Sequence, residues 1–497
     1  MTYRPAKKLT AAVIGVSAVA LVLTACSSNS SSSSSSSSTA AATSAASAAA
    51  SGGAASSAAG SSAAGGASSA ASGSAGAGGS AKPASIPWCD TLKSTYGDLT
   101  GKTVGVYSTI VAPEDQPYID SFKPFTDCTG ATVKYEGSKE FEAQVVVRVQ
   151  SGNPPDVAIF PQPGLLSQIV NSSGAVKPLA DDTKALGNEY FPADWMKYGT
   201  VNDIQFAVPN NADFKSLVWY SPKYFKQAGY QVPTTWAELT ALTQKIVDSG
   251  QKPWCIGIKS GEATGWQLTD WLEEYVLRLA GPDVYDKWVS HEVKFSDPQV
   301  ADALKQVGAL LKDPKYVNAG LGDVNTIAST EFNDVAPLIL NGKCWMAREA
   351  ANFDSNYKGK NIGPDGDINA FYFPPINTNF GQVVLGGGTF WAAFADRPEV
   401  KAFMYYLATP DFANTRAQAG SWISANLGLQ ASSVPSEVQK TALGVLQNPQ
   451  TVFRFDASDL MPAAVGSDAE WKQLTAWITG QDDATTLSNI DAAWPAG

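Results

Sequence analysis

The 497-residue chain has a single histidine, His291. This excludes a metal site built from several imidazoles, and any Ser–His or Cys–His catalytic arrangement would have to use that one ring. The sequence has no GxSxG nucleophile elbow, no P-loop and no GxGxxG dinucleotide fingerprint. Charge is scarce at 16% of residues, and 35 Lys+Arg stand against 46 Asp+Glu, a net −11. An acidic balance argues against nucleic acid or anionic lipid as the partner. Cysteine is limited to five residues, with no CxxC or His-paired spacing to support a zinc site.

The N-terminus carries a clear pattern. Arg4, Lys7 and Lys8 precede an apolar run from Ala11 to Leu23. That run is shorter than the roughly 20 residues a membrane span needs and has the proportions of a signal-peptide core. It ends in Leu23-Thr24-Ala25-Cys26, which looks like a lipobox. Residues 1–25 are therefore expected to be a lipoprotein signal peptide and Cys26 the lipidated residue. Residues 27 to about 82 are almost entirely Ser, Ala and Gly. Such a segment cannot bury enough apolar surface to fold and should act as a flexible tether with an end-to-end distance of roughly 40–45 Å. The expected organisation is signal 1–25, anchored tether 26–83 and folded body 84–497. Cys89, Cys128, Cys255 and Cys344 remain, an even number for an oxidising compartment. Three pairings are possible, and Cys89–Cys128 with Cys255–Cys344 is favoured because each joins chain neighbours.

Along the body, strand and helix patterns alternate. Thr103 to Tyr107 and Thr132 to Tyr135 read as strands, Tyr118 to Phe125 and Phe141 to Val149 as helices, and Val157 to Phe160 as a short buried strand. Thr235 and Glu238 have capping-box spacing, and Trp266 to Leu279 has a strong helical apolar pattern. Gly386-Gly387-Gly388 reads as a Gly-rich turn between strand segments. The alternation argues for α/β architecture with a largely parallel sheet, and in such sheets ligands bind at the carboxyl ends of strands.

Several blocks carry a family likeness. Gly152-Asn153-Pro154-Pro155-Asp156, running on to Ile159-Phe160-Pro161-Gln162-Pro163-Gly164, resembles the signature of carbohydrate ABC-transporter substrate-binding proteins. Trp219-Tyr220-Ser221-Pro222, Pro233-Thr234-Thr235-Trp236, Trp254-Cys255-Ile256-Gly257, Thr264-Gly265-Trp266, Cys344-Trp345-Met346 and Leu385-Gly386-Gly387-Gly388 agree in order. Together they resemble the α-glucoside branch of extracellular solute-binding protein family 1. The resemblance implies a type II periplasmic-binding-protein-like α/β fold. Two lobes, about 100–212 with 385–435 and about 217–380 with 450–497, are joined by hinge strands around a cleft. The crossings are expected near Asn210 to Ser216, near Asn377 to Gly388, and between Gln430 and Phe453. It further implies a monomeric, lipid-anchored binding protein without catalytic residues, metal or cofactor. It would pass a sugar to separate permease and ATPase subunits.

A sugar presents hydroxyls at its edges and C–H patches on its ring faces, so its site needs carboxylates, amides or arginine beside aromatic rings. The expected ligand residues are Glu140, Gln162, Asp213, Trp266, Asp270, Arg348, Glu349, Gly387, Gly388 and Trp422. Trp219, Trp236 and Trp391 are assigned to the core. A glycoside hydrolase, which needs two placed carboxylates, a wall-binding lipoprotein and an importer component for another solute are the alternatives.

Overall fold

A computed structural model describes residues 82–318, 320–448 and 450–495. The expected signal peptide, Cys26 and almost all of the expected tether lie outside the described residues. Among those described, no helix is long and apolar enough to cross a membrane.

The first three strands are β1 (Thr103–Ser108), β2 (Thr132–Gly137) and β3 (Val157–Phe160). β1 runs parallel to both β2 and β3. Every residue of β3 is buried, as a continuous apolar run in a covered sheet should be. A hairpin of β4 (Thr200–Val201) and β5 (Ile204–Gln205) turns through Asn202 and Asp203, both at positive φ. Then come β6 (Ala207–Phe214) and β7 (Leu217–Tyr220), followed by β8 (Met346–Arg348), β9 (Asn369–Tyr372), β10 (Val383–Ala393) and β11 (Val452–Phe455).

These strands form two principal sheets. The larger has the order β11-β10-β3-β1-β2, with β6 on the other edge of β10; the smaller has the order β8-β7-β9. The chain therefore passes from one sheet to the other across Lys215 and Ser216, and returns between Tyr372 and Val383. The first lies within the expected Asn210 to Ser216; the second overlaps the expected Asn377 to Gly388 only as far as Val383, because the residues from Val383 on already belong to β10. The third does not fall where expected: β11 still pairs with β10, so the chain leaves the larger sheet only after Phe455.

Two further expectations change. The helix expected over Tyr118 to Phe125 is two helices, Gln116–Ser121 and Lys123–Thr129, meeting at Phe122. Pro124 explains the break, because it has no N–H to donate and suits the first turn of a helix. Gly386, Gly387 and Gly388 form no turn but lie inside β10, an unbroken strand of 11 buried residues. The glycines serve close packing: a Cβ on Gly386 would strike the Phe453 ring, and one on Gly388 the Asn211 carbonyl and the Trp195 ring.

Helix Trp236–Asp248 begins with the expected capping box. Thr235 Oγ1 accepts from the Glu238 amide at 3.2 Å, and Glu238 Oε2 accepts from the Thr235 amide at 3.1 Å. Helix Trp266–Leu279 is the spine of the second half, with residues 267–278 all buried. Its apolar residues pack with Trp254, Phe373, Leu304 and Trp477 in one cluster. Trp219 and Trp391 are core residues as expected, and Trp236 packs partly buried against the same cluster as that helix. Disulfides join Cys89 to Cys128 and Cys255 to Cys344. The first described residues are pinned to helix Pro410–Gln418: Ser85 Oγ and the Ile86 amide donate to Asp411 at 2.6 and 2.9 Å, and Asn414 donates to the Ala84 carbonyl.

Candidate functional site: an acidic, aromatic-lined cleft

Loops at the carboxyl ends of β1, β2 and β3 converge on a cavity of about 280 Å³, close to the lower end of the usual range for small-ligand pockets. They supply Thr109 to Glu114, Lys139 with Glu142, and Pro161 with Gln162. The end of β6 adds Asp213, the link beyond it Lys215, β10 adds Gly388 and Thr389, and the turn after β11 adds Asp456, Ser458 and Asp459. The facing wall carries Trp266 at the start of its helix, Phe332, Glu349, Asn352, Phe353 and Trp471.

The polar groups are held in definite pairs. Gln162 stands at the N-terminal cap of helix Pro163–Ser173, and its Nε2 donates to Glu142 Oε1 at 3.1 Å. Gln162 Oε1 and Glu142 Oε2 are buried and find no partner among the described residues. Burial raises the Glu142 carboxyl above the usual carboxylate range. Asp213 accepts from Asn211 Nδ2 at 2.7 Å, and burial pushes its carboxyl up to about 6. Glu349 accepts from Gln267 Nε2 at 3.0 Å, and burial pushes it up to about 8. Trp266 presents an aromatic ring 5.5 Å from the Lys215 ammonium and packs edge-on against Phe332 at 5.1 Å.

Beneath this surface runs a chain of ion pairs. Lys215 Nζ lies 2.9 Å from Asp270 Oδ1 and 2.5 Å from Asp456 Oδ2. Arg348 joins Asp270 to Glu274 at 3.0 and 2.9 Å, and Glu274 is paired again with Arg278. All of these side chains are nine-tenths buried or more. Burial works against charge on Asp456, yet the Lys215 ammonium holds it down to about 2. Oxygens of Asp270, Glu273 and Asp456 come within 4.8 Å of one another, a spacing that suits a cation. The Lys215 ammonium already takes two of those carboxylates, so the position has a cation of the protein's own.

Of the residues expected from sequence, the cleft brings together Gln162, Asp213, Trp266, Glu349 and Gly388. The other five are placed off its wall. Glu140 is half-buried at the N-terminal cap of helix Phe141–Gln150, between the lining residues Lys139 and Glu142. Asp270 and Arg348 belong to the ion-pair chain underneath, where the buried helix face leaves them no solvent. Gly387 backs onto the Lys215 side chain. Trp422 is buried, donates to the Tyr118 hydroxyl at 3.1 Å, and packs on Phe412. His291 is stacked on Trp494 at 4.1 Å, among side chains that do not line the cleft.

Sequence reading missed Lys215, Asp456, Ser458, Asp459 and Trp471. The signal for the acidic turn was present in Val452-Phe453-Arg454-Phe455-Asp456, a short β-favouring run ending in a carboxylate. Nothing local marks Lys215, whose partners lie 55 and 241 residues away.

The family described as bacterial extracellular solute-binding protein matches residues 109–414. The α-glucosides-binding periplasmic protein AglE of Rhizobium meliloti is 36% identical over 409 residues, covering 80% of this chain and 88% of its own. The osmoprotective compounds-binding protein GgtB of Synechocystis sp. is 35% identical over 402 residues, covering 80% and 94%. Among solved structures, the bacterial solute receptor AcbH, described as exclusively preferring β-D-galactopyranose, superposes with a TM-score of 0.67 at 20% identity. That match covers 79% of this chain and 98% of the receptor. At that identity the likeness shows the fold alone: two α/β lobes of the type II periplasmic binding-protein kind.

Proposed function

We propose, given that this chain belongs to the family of bacterial extracellular solute-binding proteins, that it captures a glycoside, of the α-glucoside kind, for an ABC importer. Proteins of this family bind and deliver a solute and do not transform it. The observation that carries the sugar reading is the pairing of rings with hydrogen-bonding edges in one cleft. Trp266, Trp471, Phe332 and Phe353 supply apolar faces, and Gln162, Glu142, Asp213 and Glu349 supply polar edges. The likeness to AglE supports the same class. Glu140, Gly387 and Trp422 act, in this reading, by shaping the cleft from behind, and Asp270 with Arg348 by holding its floor.

The finer points belong to the same reading. The lobes are about 100–212 with 385–435 and about 217–380 with 450–497, with β11 retained by the first. Bound sugar touching both would favour the closed arrangement. Cys26 carries the lipid, residues 26–83 tether the body to the outer face of the membrane, and the monomer docks on permease subunits served by a separate ATPase.

A thermal-shift screen of the full-length protein in detergent against mono- and oligosaccharides tests the reading, since a ligand of the native state raises the melting temperature. A rise with maltose, trehalose, sucrose or a related glycoside supports it. A rise only with non-sugar solutes overturns it. The likeness to GgtB favours a second reading, a small osmoprotective solute, which the same screen separates.

A further inference from the structure

A second cavity, of about 250 Å³, adjoins the cleft, and Glu142 and Trp471 line both. Like the cleft, it lies between elements of the two halves. Helices Phe141–Gln150 and Pro163–Ser173, which follow β2 and β3, supply Ala143 and Gln168, and the other side supplies Glu262, Ala464 and Ser467. Gln168, Glu262 and Ala464 are exposed, so this cavity reaches the protein surface. Each cavity by itself falls just under the usual range for small-ligand pockets.

The two residues at the join carry unanswered polar atoms. Glu142 Oε2 and Trp471 Nε1 are both buried and find no partner among the described residues. Such an atom costs its desolvation unless a ligand supplies the missing hydrogen bond. A sugar hydroxyl both donates and accepts, so it can meet the indole N–H, and the carboxyl in either protonation state. The fold also places Trp471 closely. It follows a π-helical stretch, Val465–Glu470, a rare geometry that recurs at functional sites. A Cβ on Gly466 would strike the Ser458 carbonyl, and one on Gly265 the Trp471 carbonyl. The chain around Trp471 is thus bedded against Ser458 of the cleft and against the residue before Trp266. Two aromatic rings stand on adjoining segments, Trp266 in the cleft and Trp471 at the join.

We infer that the ligand runs through both cavities: it is a linear oligosaccharide of at least three units that passes between Glu142 and Trp471. These two residues set the preference for chain length, and the second cavity is a subsite for the distal units. The inference rests on the sugar-binding reading above and narrows it to a length class.

The test is titration calorimetry on the full-length protein in detergent, with maltose to maltotetraose, isomaltose to isomaltotetraose, trehalose and sucrose. The expected result is that in one series the trisaccharide binds about tenfold more tightly than any of the disaccharides, the gain of one stacked ring. The Ala143→Leu, Ala464→Leu double variant narrows the second cavity alone, since neither residue lines the first. It should keep the disaccharide affinity and lose the gain from the third unit. Should the double variant misfold, each single substitution gives the same readout. A gain of less than about threefold from every longer chain, with a disaccharide bound, overturns the inference while leaving the sugar reading intact. A gain that survives in the folded variant overturns the passage through this cavity. Failure of every saccharide to bind removes the sugar reading and this inference with it.

Discussion

The Lys215 ammonium sits 2.9 Å from Asp270 Oδ1, joining the link between the two sheets to the buried helix Trp266–Leu279. A second contact at 2.5 Å ties the same nitrogen to Asp456, just beyond β11. Three chain segments that share no strand pairing are thus held by one side chain. Removing one partner of a buried pair leaves the others uncompensated. Lys215→Met is expected to cost about 3–5 kcal/mol of unfolding free energy. Urea unfolding measures it, and a loss under about 1 kcal/mol would mean that water or protonation relieves the carboxylates.

Trp266 lines the cleft with its ring 5.5 Å from the Lys215 ammonium. If it stacks on a sugar ring, Trp266→Ala should weaken sugar binding by about 1.5 kcal/mol, roughly tenfold. Calorimetry on a variant with a native circular dichroism spectrum reads the change. Unaltered affinity would remove Trp266 from the ligand contacts.

Glu349 gives a pH signature. Its carboxyl moves from an ordinary 4.5 to about 8 on folding, because burial penalises its charge. The native state then holds a proton that the unfolded chain releases between those values, so stability falls as pH rises through that window. Glu349→Gln lacks the penalty. Relative to wild type it should be stabilised progressively from pH 4.5 to above pH 8, and Asp213→Asn likewise between about 4 and 6. Urea midpoints across this range check both, and parallel profiles for variant and wild type would refute the buried-acid account.

The lipid assignment rests on Cys26 and is tested apart from the cleft. Cys26→Ala should shift the protein from the membrane fraction to the soluble fraction, with sugar binding unchanged. Two acyl chains anchor stably where one holds only marginally. A variant that still partitions with membranes would transfer the anchoring to another segment.

Elements with a local cause were legible in the sequence. The Thr235–Glu238 cap, the short buried strand Val157–Phe160 and helix Trp266–Leu279 follow from spacing alone, and the structure has each. The glycines at 386–388 misled because a glycine signals a turn or a close approach equally well. Here Phe453 and Trp195, remote in sequence, decide for the second. Asp270 and Arg348 misled for a related reason. Their residue types suit ligand contacts, but Lys215 and Glu274 claim them, and those pairings span 55 and 74 residues. Gln162, Asp213 and Glu349 reach the cleft wall because each stands at or beside a strand end, a position that topology sends toward the cleft.

The pinning of residues 84–86 to helix Pro410–Gln418 has a mechanical result. Asp411 and Asn414 hold the entering chain, and that helix follows directly on Pro398–Ala408, which packs against the larger sheet through Val400 and Phe403. The first described residues are thus tied to elements that pack on the larger sheet. The smaller sheet and helix Trp266–Leu279 join it through three links: the residues around Lys215, Tyr372 to Val383, and the chain beyond Phe455. A pull on the chain ahead of Lys82, in the proposed tethered form, would therefore reach the larger sheet first and the smaller one only through those three links.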